Sequence, residues 1–221
     1  MVKKSLPSNP IKQKPLSQVA AEELRRRIWS GEISFGQRLL EANLASELDI
    51  SRSSLREALQ TLEYEGLVIN KARKGTFVSS FTDDDLREIN EIRLHLEVPA
   101  IVKAAENIIE KDIQYLELLI RHMEEESQKD DWQLMFNLDI SFHLYLINCC
   151  DNSRIKKMYN IIQMQIRTFL SQLGKYYSKN VNQFIEEHKE LLEAVKSRDK
   201  KRVEAVASAH ILDAGDFSFE H

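Results

Sequence analysis

Residues 36–81 read GQRLLEANLASELDISRSSLREALQTLEYEGLVINKARKGTFVSSF, and this stretch decides the fold. Glu41 to Leu48 predicts a short helix, with Leu44 and Leu48 one turn apart on one face. Asp49-Ile50-Ser51 then makes a turn. Ser51 is a good N-cap for a third helix that runs to Glu65, and Gly66 stops it. Leu55, Leu59 and Leu62 supply that helix's buried face. Leu67-Val68-Ile69 and Thr76-Phe77-Val78 switch to short β-like runs, and Asn70 to Gly75 joins them. This reads as a two-stranded hairpin with a basic tip, where Gly75 can take positive φ.

On the N-terminal side, Ile33 to Gln37 reads as a turn. Leu16 to Ser30 reads as a helix ended by Gly31. Residues 1–15 hold four lysines, three prolines and no acid, the composition of a flexible basic arm. Residues 16–80 are thus expected to form a winged helix-turn-helix. On the C-terminal side, Asp83, Asp84 and Asp85 suit the start of a helix. From there the pattern is helical throughout, in six segments near 83–107, 110–128, 131–149, 153–173, 180–197 and 199–214. Pro99 should kink the first of them or redirect it. The expected fold is mainly α: a winged helix-turn-helix with a small β-hairpin, then an all-α antiparallel bundle over 81–221. Any ligand pocket would lie between facing helices.

Composition narrows the function. No run approaches the ~20 apolar residues of a membrane span, and the lysine-bearing N-terminus lacks an apolar signal core. A cytoplasmic protein is expected. The adjacent Cys149 and Cys150 read as packing residues in a reducing compartment. The net charge of −4 by itself argues against nucleic acid, but its distribution does not. Residues 1–80 hold 13 Lys/Arg against 9 Asp/Glu, whereas the remainder holds 18 against 26. A basic domain that meets an anion is joined to an acidic one that does not.

The basic domain has the chemistry to read DNA. Hydroxyls and arginines at the N-terminal end of a recognition helix reach base edges and phosphates, and the helix dipole favours the phosphate. Arg52, Ser53, Ser54 and Arg56 occupy those positions, with the two arginines on one face. Arg73, Lys74 and Gly75 at the hairpin tip suit phosphate or minor-groove contact. Taken singly, Arg52 and Arg56 could be solvated charges, with Glu57 as a local partner.

The 36–81 stretch resembles the N-terminal domain of GntR-family regulators. It carries G-x-x-L-x-E-x-x-L-A, then S-R-x-x-x-R-E-A-L-x-x-L-x-x-E-G-L-V, and a wing with glycine. The resemblance implies that Arg52, Ser53, Ser54 and Arg56 contact DNA and that Gly75 belongs to the wing. Many relatives have Thr-Pro-Val where Ser53-Ser54-Leu55 stands and Gly in place of Asp49. Arg38 is a phosphate contact or the member of a structural salt bridge; the sequence leaves both open.

In the acidic part, Asp139 and His143 are spaced to share a helix face and chelate one ion. His188 and His210 lie on later helices among apolar neighbours. Sequence alone does not bring the three helices together. The C-terminal part, however, resembles the FCD ligand-binding domain, with six helices as in the VanR-type subgroup. That resemblance implies that Asp139, His143, His188 and His210 ligate one divalent transition metal. The donor set suits Zn²⁺ or Ni²⁺, and is compatible with Mn²⁺. It also places Arg93 near the pocket, where it would pair with a small carboxylate effector. An ion pair with Glu97, one turn on, is an equal alternative. His95 and His122 match no ligand position and read as surface residues. The implied protein is a homodimeric, ligand-responsive repressor on a palindromic operator. A metal sensor and a metal-dependent enzyme are the competing readings, the latter without a nucleophile motif or a convincing general base.

Overall fold

The computed structural model describes residues 14–129, 132–172 and 180–213. Most of the basic arm, the expected break at Gly174 and the last eight residues lie outside the described residues. Three helices come first: α1 (Leu16–Trp29), α2 (Glu41–Glu47) and α3 (Arg52–Tyr64). Ala20, Ala21, Leu24 and Ile28 of α1 close against Leu55, Ala58, Leu59 and Leu62 of α3 in one apolar core. Ser51 caps α3 as expected: its hydroxyl accepts from the Ser54 backbone N–H at 3.1 Å. Ser51→Ala should therefore cost ~1 kcal/mol, read as a lower chemical-denaturation midpoint with an unchanged slope. Asp49 precedes the cap at φ 51°, the left-handed conformation in which many relatives place Gly.

The wing differs from the expected two-stranded hairpin. β2 (Val68–Lys71) and β3 (Gly75–Val78) pair antiparallel, but a third strand, β1 (Arg38–Leu39), adds to the free edge of β3. The order is β1-β3-β2. Two residues are too few to show an alternating pattern, so β1 was not legible in sequence. It exists because the Gln37 and Val78 backbones meet, with the Val78 N–H donating to the Gln37 carbonyl at 2.9 Å. At the tip, Arg73 and Gly75 both take positive φ, 60° and 96°.

Six more helices follow among the described residues: α4 (Asp83–Asn107), α5 (Glu110–Ser127), α6 (Trp132–Cys149), α7 (Ser153–Gln172), α8 (Val181–Ser197) and α9 (Lys200–Asp213). Their limits fall within a residue or so of the sequence expectation. Thr82, rather than an aspartate, caps α4. Its hydroxyl accepts from the Asp85 N–H, and the Asp85 carboxylate accepts from the Thr82 N–H at 2.8 Å. This reciprocal pair needs a hydroxyl at the cap and an acid three residues on, which Asp83 and Asp84 cannot supply. α4 continues unbroken through Pro99. The second core gathers Ile101, Leu116, Met123, Phe136, Phe142, Leu146, Phe169, Leu191, Val203 and Ile211 from all six helices. Cys150 packs into it and Cys149 is half-buried; neither is in a disulfide. No helix among the described residues is long and apolar enough to cross a membrane.

Candidate DNA-reading surface and buried metal centre

The reading helix presents the residues singled out by sequence. Arg52, Ser53 and Arg56 are exposed on α3, and Ser54 is half-buried. Ser53 and Ser54 both bond the Ser51 hydroxyl, at 2.8 and 2.9 Å, so the serines form a small network at the helix N-terminus. Arg56 is held by Glu41 of α2, Nε to Oε2 2.8 Å. Arg52 forms no ion pair among the described residues. Arg38 is exposed and likewise unpaired there. Its guanidinium lies beside Gly75, where an added Cβ would stand 3.6 Å from it. The salt bridge considered for Arg38 is thus not formed among the described residues, and the arginine extends the basic wing of Arg73 and Lys74.

The second site is built by the bundle. α6 is apolar almost all round, WQLMFNLDISFHLYLINC, so its one carboxylate and one imidazole are both forced inside: Asp139 is 4% exposed and His143 0%. α8 brings His188 and α9 brings His210, at 0% and 8%. One ligand atom from each of the four lies within 4.8 Å of the others. His143 Nε2 is 3.0 Å from His210 Nε2, and His188 Nε2 is 3.0 Å from Asp139 Oδ1. His95 and His122, in contrast, are on the surface.

His188 Nδ1 is 2.7 Å from the Phe184 carbonyl, so in the neutral ring its single N–H points there and Nε2 carries a lone pair. Bonding Asp139 as well, 3.0 Å from Nε2, takes a second proton on the ring. Burial by itself would raise the Asp139 carboxyl, but the hydrogen bond from His188 and nearby positive charge hold it below its ordinary value. Burial, reinforced by the other imidazoles and Arg93, pushes His210 well below the usual histidine range. Two contacts of 3.0 Å, His143–His210 and His188–Asp139, each need a proton or an ion between the facing atoms. A single proton can bridge one such pair; a single metal ion satisfies all four atoms. Tetrahedral Zn–N bonds of ~2.0–2.1 Å set ligand atoms ~3.3 Å apart; two contacts here are 3.0 Å, His143–Asp139 is 3.8 Å, and all lie within 4.8 Å.

α4 supplies the surroundings. Arg93 donates from Nε to Glu97 Oε1 at 2.6 Å, both side chains being buried. Glu97 Oε2 reaches His143 Nδ1 at 2.8 Å, an ion-pair distance with the N–H imperfectly aligned. Burial would raise the Glu97 carboxyl, yet Arg93 and His143 hold it down at about 2. The alternative weighed for Arg93, pairing with Glu97, is the one formed. The sequence marks Glu97 only as that partner; its approach to His143 depends on how α4 crosses α6, for which spacing carries no signal. Tyr159 of α7 is wholly buried, its hydroxyl unpartnered and near enough to Glu97, Arg93 and Asp139 to feel their charges. The Asn90 Oδ1 and His210 Nδ1 atoms are also buried without a partner.

Comparison with known families places both parts. Residues 16–78 match the model of bacterial regulatory proteins of the gntR family, and residues 88–213 match the FCD domain. The chain belongs to the GntR family, with an FCD domain. Curated relatives include the gluconate operon transcriptional repressor of Bacillus subtilis, 29% identical over 81% of this chain and 75% of that one. The regulator LutR of the same organism is 28% identical over 86% of this chain and 94% of its own. Escherichia coli McbR/YncC has the same fold, with a TM-score of 0.76 at 24% identity over 91% of this chain and 95% of that one. A Rhodococcus GntR protein superposes with a TM-score of 0.78 at 22% identity, over 90% of this chain and 95% of its own. This GntR protein is therefore a transcriptional regulator with a DNA-binding helix-turn-helix, and its families are regulators rather than enzymes.

Proposed function

We infer that the chain is a metal-containing, ligand-responsive repressor. The observation that carries the metal is the convergence of four buried ligand atoms, from Asp139, His143, His188 and His210, within 4.8 Å of one another. One Zn²⁺ or Ni²⁺ per chain fits three imidazoles and one carboxylate. A bound ion would supply Lewis acidity and, where its coordination exceeds four, a position for a small carboxylate. The chain's own groups then orient that ligand. The buried, unpartnered Tyr159 hydroxyl and the part of the Arg93 guanidinium not used by Glu97 would offer donors. Arg52, Ser53, Ser54 and Arg56 read base edges and phosphates, with Arg38, Arg73, Lys74 and Gly75 along the wing. A two-fold homodimer would place two such surfaces on a palindromic operator.

Elemental analysis of the purified chain after dialysis tests the reading directly. One transition metal per chain, lost in a variant lacking both His188 and His210, is expected; a metal-free chain that takes up none from buffered Zn²⁺ or Ni²⁺ sinks it. A metal that dialyses away, with DNA binding tracking free metal, would make the ion itself the signal.

Glu97 fixes the His143 ring from behind, as carboxylates do for metal-bound imidazoles. Glu97→Gln should weaken metal affinity by ~10–100-fold, measured by competition against a chromogenic chelator, without abolishing it. An unchanged affinity would remove Glu97 from the site.

A further inference from the structure

The two cores meet through α7. Its residues Ile162, Ile166 and Phe169 belong to the C-terminal core, whereas Met164 packs against the N-terminal one. At this junction Trp29, the last residue of α1, donates from its indole Nε1 to Thr168 Oγ1 at 3.2 Å. The Thr168 hydroxyl donates in turn to the Met164 carbonyl. The Arg167 guanidinium lies over the Trp29 ring, 3.8 Å from its centroid. One turn away, Gln172 clamps the connecting segment, exchanging two 2.9 Å bonds with the Phe81 backbone.

Arg167 is the odd member of this contact. It is 9% exposed, its Nε has no partner, and no acid pairs with it among the described residues. Glu65, on the facing domain, is already held by Nε and Nη2 of Arg25, at 3.0 and 2.8 Å. Burial, and then the Arg25 charge, pull the Arg167 guanidinium down to about 10. A buried cation without a counter-charge is costly, and separating the domains would return it to water. The cation–π contact offsets part of that cost. The junction is therefore much less committed than either apolar core.

We propose that Trp29, Arg167 and Thr168 form a reversible latch that sets the angle of the DNA-reading domain on the helical domain, Arg167 keeping the docked arrangement close in free energy to an undocked one. α1 packs on α3 through the shared core, so the reading helix follows Trp29 as a rigid body. The Phe81–Gln172 clamp holds the connection while the latch opens.

The chain has two tryptophans, so Trp132→Phe leaves Trp29 as the sole reporter. In that background, acrylamide quenching of Trp29 is measured with affinity for a duplex that the unaltered chain selects from a randomised pool. Arg167→Met keeps the apolar stem, removes the buried charge and should tighten docking. Thr168→Val removes the indole's acceptor and should loosen it. Quenching should fall about twofold in the first and rise about twofold in the second. DNA affinity should move in opposite directions, by about threefold or more each. Thr168→Ser keeps the acceptor and should behave as the parent. If Arg167→Met does not fold, Thr168→Val against Thr168→Ser decides. Any result in which the folded variants do not separate on both readouts in these senses overturns the latch.

Discussion

Arg52→Ala is expected to weaken operator affinity by about 5- to 150-fold at fixed salt, the equivalent of ~1–3 kcal/mol for one bidentate base contact. The structure explains why the effect should be clean. Arg52 is exposed at the start of α3, and no ion pair within the described chain holds it. Its loss should leave the thermal midpoint of the free protein within a degree or so of the parent, since exposed charges contribute little to stability. Arg56→Ala is a less direct experiment, because the same change releases Glu41. Lys74→Ala, at the wing tip, should weaken all sequences alike and reduce the salt dependence by about one counterion. Electrophoretic mobility shifts at several salt concentrations separate the two behaviours. An Arg52→Ala chain that binds the selected duplex as tightly as the parent would remove α3 from the reading surface.

The second large effect concerns the bundle. Metal at about a thousand times its dissociation constant stabilises a folded state by ~4 kcal/mol. For a chain of this size that raises the melting midpoint by about 8–16 °C. Adding Zn²⁺ to chelator-stripped protein should produce a rise of that order. His188→Ala should abolish it, because the ring would supply one of the four converging ligand atoms, held in place by its Nδ1 contact with the Phe184 carbonyl. His95→Ala, on the exposed face of α4, should retain the full shift. A rise that survives in His188→Ala as well as in His95→Ala would mean that zinc acts elsewhere. Far-UV circular dichroism of stripped protein at room temperature should still show the helices, since the core around Phe136, Phe142 and Phe169 is built from apolar side chains.

How much of this was legible beforehand follows from what each signal depends on. The reading helix announced itself through local chemistry. Ser51 caps, Leu55, Leu59 and Leu62 repeat at helical spacing, Gly66 stops the helix, and Arg52 and Arg56 must then share the opposite face. The limits of the later helices were likewise readable, because breakers are few in this chain and each break is local. Asp139 and His143 could be paired on one helix from their spacing alone. His188 and His210 could not be added without the resemblance to a family, because no periodicity within a helix says which helix it will face.

Tertiary structure decided the rest. The strand β1 exists only because β3 offers a free edge beside Gln37, and two residues have no intrinsic preference strong enough to predict it. Arg93 was open between an effector and Glu97, and packing buries it in contact with Glu97, where an unpaired charge would be far more costly than at the surface. Glu97 behind His143, Tyr159 nearby and the Trp29–Arg167 contact join elements distant in sequence. The sequence by itself determined the helices, the cap, the reading face and the split between a basic and an acidic part, because each is written within a few neighbouring residues. Which buried groups meet was decided only when the helices packed, because side-chain distances across a core depend on crossing geometry that no local pattern encodes.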